Sequence, residues 1–252
     1  MNADLVVHAD ASTLERAVAL AIADHLDLAL TASAPTVRAT LVLAGGRTPR
    51  GVYAHLANLD LAWSRVALVF GDERAVPPDD PASNFAMVQA ALLGPLAARG
   101  QVPVVYRIPG ELGAEHAAAS YAATLTPLIG PPFDAVLLGM GDDGHVASIF
   151  PDSPPASDAS PVIATTSPIA PHARVSLTLE TLTHARHLLV LVTGQAKAAR
   201  LAEVLTDPRC TLPAARLMRL AGPRLALHVD RLAAAALPAR LTEKMAHSLE
   251  KD

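Results

Sequence analysis

The chain has 252 residues, 51% of them hydrophobic and 17% charged, with a formal net charge of −4. That apolar content excludes a disordered chain, and scattered basic residues under a negative balance give no reason to expect nucleic acid as a partner. No stretch reaches the roughly 20 uninterrupted apolar residues of a membrane span, Met1-Asn2-Ala3-Asp4 lacks the basic and apolar regions of a signal peptide, and the single Cys210 excludes an internal disulfide. A cytoplasmic location is the expected default.

Apolar β-type runs alternate with alanine-rich helical stretches. Leu5 to His8 is a short strand, and Ser12 with Glu15 three residues later forms a capping box for a helix to about Leu30. Thr40 to Ala44 is a strand, Pro49 to Leu56 a helix, Val66 to Phe70 a strand, Asn84 to Leu93 a helix and Val102 to Ile108 a strand. A long helix from Glu111 to about Leu128 precedes a buried strand at Val136 to Leu138. Asp152 to Pro161, rich in Pro, Ser and Asp, is loop. Strands follow at Val175 to Leu179 and Leu188 to Val192, a helix from Gln195 to Leu205, and a last strand from Leu225 to Val229. This order predicts an α/β fold with a mainly parallel sheet and helices on both faces. There is no internal repeat, and the Pro-Pro pairs at 77–78, 131–132 and 154–155 mark loops and not linkers, so one domain over 1–252 is expected.

Candidate chemistry gathers where these strands end. After the strand at Val136 the chain reads Gly139-Met140-Gly141-Asp142-Asp143-Gly144-His145. Glycines allow a sharp turn, and a histidine beside carboxylates at a strand's carboxyl end is a candidate general base. Gly45-Gly46-Arg47-Thr48-Pro49 joins a strand to a helix. Its glycines admit an anion to backbone amides, with Thr48 as the cap and Pro49 at the first helical position. An ordinary tight turn reads the same way. The segment is neither a GxxxxGK[ST] loop nor a dinucleotide fingerprint, so a nucleotide is not expected. Gly71-Asp72-Glu73-Arg74 ends another strand. Asp72 can accept sugar hydroxyls and Arg74 can bind anionic oxygen, or the tetrad is a solvated, salt-bridged loop. Lys197, in the first turn after Gly194, sits where a helix dipole disfavours a cation unless an anion is bound between them. Asp143 and His145 have no second histidine or cysteine at a recognised ligand spacing, so neither a metal nor a cofactor is expected.

Five segments, in order, carry a resemblance that spans most of the chain: Leu43 to Pro49, Phe70 to Arg74, Ser83-Asn84-Phe85, Phe133 to Ser148 and Val192 to Lys197. Together they resemble the glucosamine-6-phosphate isomerase/6-phosphogluconolactonase family. Phe133 to Ser148 is similar to the GxxDGHxAS signature of its lactonase branch. The resemblance implies a Rossmann-like fold and hydrolysis of 6-phospho-D-glucono-1,5-lactone in the oxidative pentose phosphate pathway, without a cofactor. His145 is then the base that activates water, and Asp143 or Asp142 orients it. Amides of Gly141 to Gly144 stabilise the oxyanion. Gly45, Gly46, Arg47, Thr48, Arg74 and Lys197 bind the substrate's phosphate end, and Asp72 its hydroxyls. Three positions depart from the family pattern: Arg47 stands where serine is more frequent, Asp142 where glutamate is usual, and Val146 where threonine is common.

Two other readings fit parts of this pattern. The deaminase branch uses an aspartate at the position of Asp72 in an Asp-Glu-Tyr context, and its histidine motif continues into Phe-Asn-Glu. Here the residues are Asp72-Glu73-Arg74 and Ser148-Ile149-Phe150, which favour the lactonase. A non-catalytic sugar-phosphate sensor would carry a DNA-binding helix-turn-helix, for which no segment before Leu5 is expected. The resemblance implies a small sugar-phosphate lactone as partner, and neither nucleic acid nor membrane is expected. Monomer and homodimer are both compatible with the alanine-rich helices.

Overall fold

The structure is a computed structural model that describes residues 4–34, 36, 38–153 and 160–242. Its strands are β1 (Asp4–His8), β2 (Ala39–Leu43), β3 (Val66–Phe70), β4 (Asp72–Arg74), β5 (Val104–Tyr106), β6 (Phe133–Gly139), β7 (Val162–Thr166), β8 (Ala173–Leu177), β9 (Ala185–Val192) and β10 (Leu225–Asp230). Its helices are α1 (Ala11–Thr31), α2 (Arg47–Leu56), α3 (Asn84–Val88), α4 (Gly94–Ala98), α5 (Ala114–Leu125), α6 (Leu179–Thr183), α7 (Ala198–Thr206), α8 (Pro213–Ala221), α9 (Arg231–Ala234) and α10 (Ala239–Thr242). No helix is long and apolar enough to cross a membrane among the described residues.

Seven strands form one sheet in the order β1-β10-β9-β6-β2-β3-β5, and every pairing in it is parallel. All five residues of β3 and the run Ala135 to Leu138 of β6 are buried. Because successive side chains point to opposite faces, such runs require cover on both sides. The mainly parallel α/β sheet expected from the sequence is therefore present. The chain leaves β2 outward through β3 to β5, then returns to the other side of β2 as β6. The order reverses between β2 and β6, and crevices at such reversals hold ligands beyond the strands' carboxyl ends.

A second sheet, β4-β8-β7, is antiparallel. Of its strands, β8 is expected from the sequence pattern, whereas β4 and β7 are not. These short strands have no clean apolar alternation. The switch between sheets is Gly71, whose amide donates to the Leu43 carbonyl (2.9 Å) in one sheet while its carbonyl accepts from Leu177 (2.8 Å) in the other. Helix α5 packs against β7 and β8 of the small sheet and is tied to β3 and β5 of the large one: Tyr121 donates to the carbonyls of Phe70 and Tyr106, both at 3.1 Å, and accepts from the Phe70 amide.

Several local expectations are corrected. Asp10, and not Ser12, caps α1, its carboxylate accepting from the Thr13 amide at 2.7 Å. Aspartate at that position takes the role because the chain is still extended there. Thr48 and Pro49 lie inside α2, which Gly46 precedes without a side-chain cap. The helix expected from Asn84 continues past Leu93 through a π turn (Gln89–Leu93) into α4. The strand expected over Val102 to Ile108 shortens to β5, and α5 starts at Ala114 after a separate 3₁₀ turn (Gly110–Leu112). Helices α6 and α8 were not foreseen. Of the loop expected over Asp152 to Pro161, residues 154–159 lie outside the described residues.

Candidate active site

The turn after β6 is built around His145. The Gly141 amide donates to the His145 carbonyl (2.9 Å), and the Gly144 amide donates to the Gly141 carbonyl (3.0 Å). Asp143 Oδ1 accepts from the His145 amide (3.0 Å) and lies 2.6 Å from ring nitrogen Nδ1. Nε2 is thus the nitrogen left to take a proton. A Cβ on Gly141 would sit 2.1 Å from the imidazole, so only glycine admits the ring here. Phe150 leans on the other side, ring centroids 4.9 Å apart. Burial is the largest influence on the Asp143 carboxyl and pushes it up. The His145 amide, charge and ring together outweigh it and hold the group below its usual range. Asp142 is exposed, so of the two aspartates the histidine's partner is Asp143. The sequence expectation that amides of Gly141 to Gly144 await an oxyanion is not met for Gly141 and Gly144, since both donate within the turn.

The ends of β2 and β9 meet beside this turn. Thr48 Oγ1 and Thr193 Oγ1 share a hydrogen bond of 2.7 Å, tying the start of α2 to the strand end before Lys197. The Lys197 ammonium donates to the Met140 carbonyl. Burial lowers its pKa most; Asp142 opposes this and Arg47 adds to it. A half-buried ammonium next to a guanidinium is a site that favours an anion. Asp230 supports the arrangement from β10: its carboxylate caps α9 and accepts the Gly194 amide at 3.0 Å.

The third group stands on β4. Asp72 is buried and accepts from Ser148 Oγ at 2.6 Å and from Asn84 Nδ2 at 3.3 Å. Asn84 also donates to the Asp72 carbonyl (2.9 Å). A Cβ on Gly45 would meet Asn84 Oδ1 at 2.1 Å, so the glycine there is required by close approach. Glu73 accepts from the amides of Arg74, Asn84 and Phe85 and from Ser83 Oγ, at 2.6–3.0 Å. Burial still pushes its pKa up. It anchors the start of α3, in line with a structural role. Arg74 donates to the Ala82 carbonyl and pairs in register with Arg174. Arg174 is buried and donates to the Pro171 carbonyl (2.7 Å). Burial, then the charge of Arg74, lower its pKa, against the opposing pull of Asp72 and Glu73. The cations therefore stand in two places: Lys197 and Arg47 after the ends of β9 and β2, and Arg74 opposite Arg174 on β4 and β8.

Thr193, Asn84 and Asp230 hold these groups in place and Arg174 stands opposite Arg74; of the four, the sequence marks Asn84 and, within the segment Val192 to Lys197, Thr193. Thr193 precedes the Gly194-Gln195-Ala196-Lys197 segment and was legible as a strand-end hydroxyl. Arg174 sits in an unremarkable strand and gave no signal. A cavity of about 490 Å³ lies to one side, lined by Phe150, Thr178, Glu180, Thr211 and Arg216 among others, and touches the site only through Phe150. No group of three or more His, Cys, Asp or Glu side chains is arranged to hold a metal ion among the described residues.

Fold and site define an α/β protein with a histidine–carboxylate pair and a lysine-bearing strand end at a topological switch point. A model of the glucosamine-6-phosphate isomerases/6-phosphogluconolactonase family matches residues 9–225. The chain belongs to that family. It is 40% identical to a 6-phosphogluconolactonase of Treponema pallidum over 182 residues, 69% of this chain and 75% of the relative. It is 36% identical to one from Pseudomonas putida over 199 residues, 77% of this chain and 79% of the relative. The solved structure of 6-phosphogluconolactonase from Trypanosoma cruzi superposes with a TM-score of 0.80 at 27% identity, covering 93% of this chain and 97% of that one.

Proposed function

We propose that the chain hydrolyses 6-phospho-D-glucono-1,5-lactone to 6-phospho-D-gluconate in the oxidative pentose phosphate pathway, with His145 as general base and no cofactor. The observation that carries this reading is the Asp143–His145 contact of 2.6 Å in the turn whose Met140 carbonyl accepts from the Lys197 ammonium. Water attacks the lactone carbonyl carbon as His145 Nε2 takes its proton. Asp143 fixes the ring through Nδ1 and stabilises the imidazolium. The tetrahedral intermediate then collapses: the bond from the carbonyl carbon to the ring oxygen breaks, and the imidazolium returns the proton to that oxygen. Assistance of this kind contributes about 10²–10⁴-fold. Lys197, Arg47 and Thr48, with the turn at Gly45 and Gly46, hold the phosphate. That remote contact places the carbonyl near the activated water. Asp72 accepts a sugar hydroxyl, and Arg74 adds positive potential on that side. We place the enzyme in the cytoplasm.

The test is loss of the lactone generated in situ, with spontaneous hydrolysis subtracted and glucosamine 6-phosphate assayed in parallel. Accelerated lactone loss that disappears in His145→Ala supports the reading. Ammonia release from glucosamine 6-phosphate without lactone hydrolysis overturns it.

A further inference from the structure

Ser148 lies three residues beyond His145 and is completely buried. Every strand of the small sheet grips it. From β4, Asp72 Oδ2 accepts its hydroxyl at 2.6 Å. From β8, Ser176 Oγ accepts its amide at 3.3 Å. From β7, the Thr165 hydroxyl donates to its carbonyl at 2.7 Å. The preceding Ala147 has φ 50°, a left-handed conformation that an alanine adopts only when its surroundings impose it. The hydroxyl is not bonded to His145, so it is not a nucleophile paired with that base.

We infer that Ser148 is a positioning residue: its hydroxyl fixes the Asp72 carboxylate so that the remaining acceptor sites of Asp72 face the sugar hydroxyls of the lactone. The inference rests on the lactonase reading. Among the described residues Asp72 accepts two side-chain hydrogen bonds, from Ser148 on Oδ2 and from Asn84 on Oδ1. A carboxylate has about four lone-pair sites, so capacity remains for substrate. Of the two donors Ser148 makes the shorter bond, and the small sheet fixes the serine at both its amide and its carbonyl. Removing the hydroxyl frees the carboxylate to rotate while leaving both backbone contacts of residue 148 in place.

The experiment compares Ser148→Ala, Asp72→Ala and the double variant in the lactone assay. Ser148→Ala is expected to raise KM about three- to tenfold, the range of one hydrogen bond, with kcat within about twofold. In the Asp72→Ala background the serine substitution is expected to add nothing, because its partner is gone. Unchanged KM in Ser148→Ala, a loss confined to kcat, or effects that multiply in the double variant would each overturn the inference. If the alanine variant does not fold, Ser148→Cys, with a weaker donor of similar size, is measured instead, and an unchanged KM again overturns it. Wild-type protein inactive on the lactone would remove the functional reading, an outcome separate from any behaviour of Ser148.

Discussion

The two sheets do different work with different residues. The seven-stranded sheet buries apolar runs such as Val66 to Phe70 and presents function only at its strand ends. The three-stranded sheet buries polar groups in its interior: Asp72, Glu73, Arg174 and Ser176. Each of them is engaged by hydrogen bonds, as buried polar groups must be to avoid an unpaid desolvation penalty. The large sheet therefore sets where the cleft is. The small sheet sets how its loops are held, through hydrogen bonds of buried polar groups beside the apolar Val162, Val175 and Leu177.

Substitutions at the large sheet's carboxyl ends test the chemistry, and the largest effect is expected at His145. His145→Ala should lower kcat about 10²–10⁴-fold in the corrected lactone assay, with an unchanged melting temperature. Gly141→Ala should lower kcat about 10²-fold, because the new methyl would occupy space 2.1 Å from the ring. An active Gly141→Ala enzyme would mean that the ring's present position is not needed. Lys197→Ala should raise KM for the phosphorylated lactone about 10- to 100-fold, as for a lost charge-assisted hydrogen bond. Turnover of an unphosphorylated lactone should not respond. An equal effect on both substrates would mean that Lys197 does not hold the phosphate.

Stability separates the sheets directly. Glu73→Ala leaves four donors around the start of α3 without their acceptor. It should cost at least about 3 kcal/mol in urea unfolding. Leu189→Met in β9 conserves volume and should cost under about 1.5 kcal/mol. The reverse ranking would break the comparison.

The smallest effect is a pH dependence. His8 Nε2 lies 3.0 Å from His228 Nδ1 between β1 and β10, and His25 of α1 stacks on His187 of β9 with centroids 3.7 Å apart. Burial lowers all four pKa values, that of His228 from 6.5 to about 4. Between those values the unfolded chain binds the proton and the folded chain does not, so stability is complete above about pH 6.5 and falls as pH drops towards 4. The melting temperature should decline over that window, and His228→Asn should flatten the decline.

How much of this was legible in the sequence follows the same division. Parallel strands announce themselves by continuous apolar runs, so β2, β3, β6, β9 and β10 were found with small shifts at their ends. Strand β4 is three residues long and carries Asp72, Glu73 and Arg74, a composition that reads as loop. It is a strand only because Arg74, Glu73 and Asp72 find Arg174, Val175 and Ser176 a hundred residues later. Thr48 reads as a helix cap because Pro49, which suits the first helical position, follows it. Its actual partner, Thr193, is 145 residues away.

The sequence alone determined the parallel α/β architecture, the glycine-rich turns and the set of candidate residues at the strand ends. Each of these depends on periodicity or on backbone freedom within a few positions. The tertiary structure alone decided that Asp143 and not Asp142 holds His145, that Arg74 stands opposite Arg174, and that Ser148 binds Asp72 across 76 residues. A hydrogen bond is made only when two groups come within about 3 Å at a suitable angle, and which distant groups do so is settled when the sheets pack together.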